Sequence, residues 1–283
     1  MGVQTIGVLG AGQMGAGIAQ IAAANGYKVV LRDIKQEFCD KSIIKMKEGL
    51  EARAAKGKIT KEAVEATLAN ISTTVNMEDL KDCDMIVEAA PEILDLKQDT
   101  FRQLGEICRA DTILCTNTSS MSITEIMKDC KNPERCAGMH FFFPVAAMKL
   151  VEVIRGDKTS DATMEAIKEA AAGMGKVAVE CKTDTPGFIV NRCLFAFMLE
   201  AIHCYECGVA SAEDIDKAIK FGLNHPLGPF EMMDMSGLDT FPHVVETLAS
   251  LPITEWKTPE VINELVATGK YGRKSGEGFY KYN

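Results

Sequence analysis

The chain has 283 residues and a formal net charge of −9, with 47% apolar residues, 25% charged residues and a mean hydropathy of +0.01. This length suits two domains, and the apolar content excludes an intrinsically disordered chain. The acidic balance argues against general nucleic-acid binding, and no apolar run approaches the roughly 18 residues of a membrane span. Ten cysteines scattered through apolar stretches, with no secretory leader, predict reduced thiols and a cytoplasmic protein.

Strand-like and helix-like patterns alternate over the first two-thirds of the chain. The charged segment Lys35–Asn70 is helical throughout and breaks near Lys56-Gly57-Lys58, which predicts an inserted helical hairpin. The alternation around it indicates βαβ units and a mainly parallel sheet, which is an α/β fold. The predicted strands are Thr5–Leu9, Lys28–Leu31, Met85–Ala89, Ile113–Thr116, Cys136–Met139 and Val177–Glu180, and the predicted helices are Met14–Ala24, Leu94–Arg109, Ile123–Lys128 and Ala162–Gly173.

Beyond the turn-rich stretch Asp184-Thr-Pro-Gly187 the periodicity is helical only. We predict a first domain over residues 1–183 and an all-α second domain over residues 184–283. Cys204-Tyr-Glu-Cys207 has no second pair of ligands near it in the sequence, so we predict no metal site. The predicted helices are Ile189–Cys207, Ile215–Phe221 with Ser211 as N-cap, and Val261–Thr268 with Thr258 as N-cap.

A glycine-rich motif follows the first strand and opens the first helix: Gly10-Ala11-Gly12-Gln13-Met14-Gly15. Its glycines allow a tight turn, close approach of a pyrophosphate, and packing of the helix on the strand. The helix N-terminus then supplies N–H groups to the phosphates. Asp33 ends the next strand 18 residues beyond Gly15, in position to accept hydrogen bonds from a ribose. The motif predicts a dinucleotide site that favours NAD over NADP, although Arg32 slightly weakens that preference.

Polar residues also follow three later strands. Glu88 to Glu92 leave one strand, Asn117 to Ser120 leave the next, and His140 leaves the third. The carboxyl ends of parallel strands line the ligand crevice of an open α/β sheet, so we expect these groups to converge. The alternative for Asn117 to Ser120 is capping of the following helix, which needs only one hydroxyl and leaves Ser119 available.

His140 also faces a carboxylate within one predicted hairpin. Two apolar runs flank a Pro-interrupted turn centred near Ala146, and folding them back antiparallel sets His140 opposite Glu152. Facing residues have Cβ atoms roughly 4.5–5.5 Å apart, close enough for an imidazole to hydrogen-bond a carboxylate. That arrangement holds a general base. The stretch by itself fits a buried structural histidine with an incidental acid equally well.

Together these residues resemble the 3-hydroxyacyl-CoA dehydrogenase family, in particular its short bacterial members that act on 3-hydroxybutyryl-CoA. The resemblance implies a Rossmann-type NAD-binding domain, a helical substrate domain that forms a homodimer, and an acyl-CoA substrate. It runs nearly end to end and rests on Gly10–Gln20, Ile86–Glu92, Asn117–Ser120, His140–Val153, Asp184–Arg192, Gly208–Lys217, His225–Glu231 and Gly276–Tyr282.

The resemblance also implies roles for individual residues. His140 would exchange the proton of the 3-hydroxyl group, and Glu152 would orient it. Ser119 and Asn191 would bind the substrate oxygens, and Asp33 would hold the adenosine ribose. Glu92, Lys97 and Asn117 would line the nicotinamide side, although Glu92 and Lys97 also fit a surface ion pair. Lys56 and neighbouring hairpin lysines would lie near the CoA tail, although a solvated helix face has the same pattern.

The chain departs from the family pattern His-Phe-Phe-Asn-Pro at Phe143, and Ala146 replaces a second proline. The change puts substrate range in doubt, because an aromatic ring replaces an amide beside His140. Two other functions stay open: a dehydrogenase of a free 3-hydroxy acid, and a nucleotide-binding protein without turnover. Oxidation of NADH with acetoacetyl-CoA and with free acetoacetate separates all three hypotheses.

Overall fold

The computed structural model describes residues 2–248 and 258–282. Contacts between Cα atoms divide the chain into two compact units between Thr185 and Pro186. Asp184 belongs to the first unit, because its carboxylate accepts hydrogen bonds from Ser122 Oγ at 2.6 Å and from the Thr124 N–H at 2.8 Å. No helix in the described ranges is both long and apolar enough to cross a membrane.

The first unit is built on one sheet, which has eight strands within the described residues in the order β3-β2-β1-β4-β5-β6-β7-β8. All neighbouring strands are parallel except β6 and β7, so the predicted mostly parallel sheet is confirmed. The strands are β1 Thr5–Leu9, β2 Lys28–Arg32, β3 Ile71–Thr74, β4 Met85–Glu88, β5 Ile113–Thr116, β6 Cys136–Phe141, β7 Leu150–Ile154 and β8 Val177–Cys181.

Helices connect these strands and cover the sheet, whose central strands β4, β5 and β6 are buried along their whole length. The predicted helical hairpin is α2 and α3, and it turns at Gly57 with a φ of 67°. The sequence pattern missed β3, because Ile-Ser-Thr-Thr carries a single strongly apolar residue. The helices are α1 Gln13–Ala24, α2 Gln36–Ala55, α3 Lys61–Ala69, α4 Leu94–Ile107, α5 Ile123–Met127 and α6 Asp161–Gly173.

The second unit is helical. Ser211 caps α8 as predicted, since its Oγ accepts from the Asp214 N–H at 3.1 Å. The predicted cap at Thr258 is wrong: Pro259 occupies the N-cap position, and no side chain caps α11. The pattern also missed α9 and α10. The helices are α7 Val190–Glu206, α8 Ala212–Gly222, α9 Pro229–Ser236, α10 Phe241–Leu248 and α11 Glu260–Ala267.

Two buried aspartates organise the second unit. Asp216 accepts from the N–H groups of Phe230 and Glu231, at 2.8 and 3.0 Å, and thereby caps α9. Asp234 on α9 accepts from the Tyr280 N–H at 3.1 Å, which fixes the C-terminal segment against the helices. Each carboxylate satisfies backbone donors that would otherwise be buried without partners.

Candidate active site

The glycine turn between β1 and α1 has the shape that a dinucleotide phosphate needs. Gly10 has a φ of 98°, and a Cβ there would lie 2.6 Å from the carbonyl oxygen of Ala89. A Cβ at Gly15 would overlap the carbonyl oxygen of Gly10. A Cβ at Gly12 would meet no atom within 4 Å, so the turn is open there, and no side chain caps α1. The N–H groups of the first turn of α1 therefore suit a pyrophosphate.

Asp33 lies just beyond β2, beside this turn. Its Oδ2 accepts from the Ala11 N–H at 2.6 Å, and its Oδ1 accepts from the Ile34 N–H at 2.7 Å. The carboxylate is held between two backbone donors and cannot swing away from the turn. The strand order reverses beside β1, which is where open α/β sheets bind ligands. These residues fit NAD.

His140 and Glu152 face each other across the antiparallel pair β6 and β7, in the register that the sequence predicts. His140 Nδ1 lies 2.8 Å from Glu152 Oε2. His140 is 6% exposed and Glu152 is 1% exposed, so this bond is shielded from water. The Phe142 ring packs against the imidazole with centroids 4.5 Å apart. The imidazole is thus held in one orientation at the end of β6.

The turn that joins these two strands is fixed from two sides. Buried Lys176 donates from Nζ to the carbonyl oxygens of Val145 and Met148, the latter at 2.7 Å. A Cβ on Gly17 of α1 would lie 2.8 Å from Val145 Cβ, so only glycine lets α1 pack this closely on the turn. Phe143 precedes the turn and is 62% exposed. These contacts keep the register of the hairpin in place.

A second buried pair lies at the end of β4. Glu88 is fully buried and Lys97 on α4 is 1% exposed, and Lys97 Nζ lies 2.8 Å from Glu88 Oε1. Glu88 Oε2 also accepts from Thr116 Oγ1 at 2.7 Å, and Oε1 accepts from the Ala90 N–H at 2.6 Å. Lys97 is therefore no surface residue. Its main partner is Glu88, one of the polar residues expected to converge at the strand ends.

Glu92 connects this pair to the predicted substrate-binding loop. Its Oε2 lies 3.2 Å from Lys97 Nζ, and its Oε1 accepts from the Ser119 N–H at 2.9 Å. Asn117 Oδ1 accepts from the Phe141 N–H at 2.8 Å, next to His140. The residues that leave β4, β5 and β6 are thus linked by hydrogen bonds, as the convergence of strand ends predicted.

The remaining predicted site residues lie elsewhere. Lys56 is exposed at the C-terminal end of α2. Asn191 is in the first turn of α7, in the second unit. Ser122 caps α5, since its Oγ accepts from the Glu125 N–H at 3.1 Å. The sequence indicated neither the partners of Glu88 nor any role for Thr116 or Lys176. The available signals were an acid at the end of the apolar run of β4 and a lysine directly before the apolar run of β8.

This glycine turn, the acid beyond β2 and the reversed strand order are those of a Rossmann-type NAD-binding domain. Residues 5–185 match the family model described as 3-hydroxyacyl-CoA dehydrogenase, NAD binding domain. Residues 187–282 match the model of the C-terminal domain of the same family. The chain belongs to the 3-hydroxyacyl-CoA dehydrogenase family. It is an enzyme whose cofactor is NAD, as the glycine motif predicted.

Similar proteins span nearly its whole length. A probable 3-hydroxybutyryl-CoA dehydrogenase of Deinococcus radiodurans is 45% identical and covers 98% of this chain and 99% of its own. The human mitochondrial hydroxyacyl-coenzyme A dehydrogenase is 44% identical, and the match covers 99% of this chain and 91% of the human protein. The crystal structure of (S)-3-hydroxybutyryl-CoA dehydrogenase from Ralstonia eutropha has a TM-score of 0.95 at 39% identity and covers 99% of each chain.

Proposed function

We propose that this enzyme interconverts 3-hydroxybutyryl-CoA and acetoacetyl-CoA, with His140 and Glu152 as an acid–base dyad. The observation that carries the proposal is the 2.8 Å contact between His140 Nδ1 and Glu152 Oε2 in a buried hairpin. The glycine turn and Asp33 hold NAD, which supplies the hydride acceptor when bound.

Glu152 fixes which nitrogen of His140 handles the substrate proton. Because Nδ1 faces the carboxylate, Nε2 is the atom that takes the proton of the 3-hydroxyl group during oxidation. The imidazolium that forms is stabilised by the adjacent negative charge. In the reducing direction the same nitrogen returns the proton to the ketone oxygen. The attraction between the imidazolium and the Glu152 carboxylate is stronger in the buried hairpin than in water, because the protein interior has a lower dielectric constant.

Ser119 and Asn191 bind the substrate oxygens in this proposal. The N–H of Ser119 is held by Glu92, so the loop that carries its hydroxyl is positioned before substrate arrives. Asn191 comes from the second unit, which we propose forms the homodimer. Glu92, Lys97 and Asn117 act on the nicotinamide side, and Lys56 supplies positive charge for the CoA tail.

Support for the substrate comes from the family and from the names of its relatives in Deinococcus radiodurans and Ralstonia eutropha. Exposed Phe143 adds an apolar ring to the turn that follows His140, where an amide is usual in the family. We expect the hydride chemistry to be kept, since the change leaves His140, Glu152, Ser119 and Asn191 in place.

The test follows NADH absorbance with acetoacetyl-CoA and, separately, with free acetoacetate. The proposal expects rapid oxidation of NADH with the thioester and little with the acid. Comparable turnover of the acid would favour a dehydrogenase of free 3-hydroxy acids. No turnover with either compound would overturn the proposed reaction.

The dyad is tested by replacing its histidine. His140→Gln removes the proton carrier, so kcat should fall about 10³-fold while NADH still binds, because general acid–base groups contribute roughly 10²–10⁴-fold. The matched control is His203→Gln, which replaces an exposed histidine on α7 and should leave kcat unchanged. Near-normal kcat in His140→Gln would refute the assignment of the base.

A further inference from the structure

Two cysteines outside the active site have their sulfur atoms in contact. Cys136 Sγ lies 3.5 Å from Cys130 Sγ and also 3.5 Å from the carbonyl oxygen of Asn132. Cys136 is the first residue of β6 and is fully buried, whereas Cys130 follows α5 and is 6% exposed. Since a disulfide has its sulfurs about 2.05 Å apart, roughly 1.5 Å of approach would join them.

The two thiols have different environments. The hydrogen bond from the Cys136 thiol lowers the pKa of Cys130 despite its burial, and the N–H groups of Asn132 and Lys131 act in the same direction. The same bond raises the pKa of Cys136, and burial adds to it. These environments favour the thiolate form at Cys130 and the protonated form at Cys136. A thiolate next to a thiol is the arrangement in which a nucleophilic and a resolving cysteine work.

We propose that Cys130 and Cys136 are a site of reversible oxidation, at which a hydroperoxide converts the two thiols into an intramolecular disulfide. The proposal is independent of the dehydrogenase reaction. It concerns a modification of this chain and the class of oxidant that brings it about.

The chemistry proceeds in two balanced steps. The Cys130 thiolate attacks the terminal oxygen of the hydroperoxide, the O–O bond breaks, and the alkoxide that leaves takes a proton to become an alcohol, or water from hydrogen peroxide. Cys130 is then a sulfenic acid. The Cys136 sulfur attacks the Cys130 sulfur, the S–O bond breaks, and the hydroxyl leaves as water with the Cys136 proton. Two thiols lose two electrons, and one hydroperoxide gains them.

The surrounding structure decides which sulfur moves. Cys136 is fixed, because β6 is buried along its length and pairs with β5 on one side and β7 on the other. Cys130 lies between the end of α5 at Met127 and the 3₁₀ turn Pro133–Arg135. Gly105 of α4 lies beside Cys130. A Cβ at this position would come within 3.2 Å of Cys130 Sγ, so the absence of a side chain leaves room around the sulfur. The short loop on Cys130 supplies the movement.

The test uses the complete, reduced protein, treated with hydrogen peroxide or left untreated and then alkylated. Trypsin cleaves after Lys128, Lys131 and Arg135, so the two cysteines fall in separate peptides, residues 129–131 and 136–149. We expect treated protein to yield these peptides linked, lighter than their summed masses by two hydrogens, and to release them on reduction with dithiothreitol. Absence of the linked peptides, with the exposed Cys193 oxidised in the same sample, would overturn the proposal.

Variants assign the order of attack. In Cys136→Ser the sulfenic acid on Cys130 cannot resolve, so a dimedone adduct should accumulate on residues 129–131. In Cys130→Ser no adduct should form on Cys136. The matched control, Cys115→Ser, removes another buried thiol from neighbouring β5 and should still give the linked peptides at the wild-type rate. An adduct on Cys136 in place of Cys130 would contradict the proposal.

Discussion

The first unit contains two buried pairs of a carboxyl group with a basic side chain, and the two pairs differ in how they are built. His140 and Glu152 lie on adjacent antiparallel strands joined by one turn, with His140 Nδ1 2.8 Å from Glu152 Oε2. Glu88 and Lys97 join a strand end to a helix, and Thr116 and the Ala90 backbone add further hydrogen bonds. The first pair holds a histidine at the end of a strand, where substrate would meet it, whereas the second saturates a carboxylate with donors inside the fold. We therefore expect a change at Glu152 to act mainly on catalysis and a change at Glu88 to act mainly on stability.

The largest effect is expected from breaking the second pair. Glu88→Gln leaves the Lys97 ammonium buried beside an amide, and Glu92 at 3.2 Å is then its carboxylate partner among the described residues. Loss of one partner of a buried pair lowers the free energy of unfolding by about 3–5 kcal/mol. Because Glu92 remains, we expect a loss of about 3 kcal/mol for this variant. Urea unfolding measures the loss. The kcat of the folded fraction should change less than about tenfold, in keeping with a structural role.

Two further variants sharpen this result. Thr116→Val removes one hydrogen bond to Glu88 and should cost about 1–3 kcal/mol, less than Glu88→Gln. The double variant Glu88→Gln with Lys97→Met removes both charges and should recover part of the stability, because no unpaired ammonium remains. A double variant as unstable as the sum of its single changes would show that the two residues do not act as a pair.

Breaking the first pair should act on rate. Glu152→Gln keeps an oxygen that accepts from His140 Nδ1 but removes the charge that stabilises the imidazolium. We expect kcat to fall about 10²-fold, which equals about 2.7 kcal/mol, with a smaller change in unfolding free energy. Steady-state assays with acetoacetyl-CoA and urea unfolding of the same sample check both. Equal kcat in the variant and the parent would place Glu152 outside catalysis.

A third buried carboxyl group, Asp216 in the second unit, extends the comparison. Its donors within the described residues are uncharged: two backbone N–H groups and the Tyr280 hydroxyl. Burial raises the pKa of Asp216 above its ordinary value of 3.8, although Tyr280 and two backbone N–H groups act against the shift. The folded state therefore binds this proton more tightly than the unfolded state. The stability that the group contributes is fully present below the unfolded pKa and is lost as the pH rises through the folded pKa.

The measurement is urea unfolding from neutral pH downwards. The amide in Asp216→Asn cannot titrate. The unfolding free energy of the wild type minus that of the variant should therefore increase as the pH falls. Tyr280→Phe removes a hydroxyl that lowers the Asp216 pKa, so it should gain more stability on acidification than wild type does. A difference that narrows with acid for Asp216→Asn would contradict the assigned direction.

Features that depend on neighbours in the chain could be predicted from the sequence. The glycine turn follows from its motif and from the strand before it. The facing positions of His140 and Glu152 follow from two apolar runs and a turn, because the side-chain period of a strand is fixed. The hairpin of α2 and α3 follows from its charge pattern and from Gly57. β3 was missed because a short polar edge strand has no strong local pattern, and α9 and α10 because their periodicity is brief.

By itself, the sequence determined the α/β class, the NAD site and the register of His140 with Glu152, since each is encoded by residues close together in the chain or by a fixed backbone repeat. The tertiary structure alone decided that Lys97 is buried against Glu88, that Lys176 fixes the turn after His140, and that Cys130 contacts Cys136. Each of these depends on the distance between elements packed side by side, which no spacing along the chain records. The burial of a charge is likewise set by what covers it.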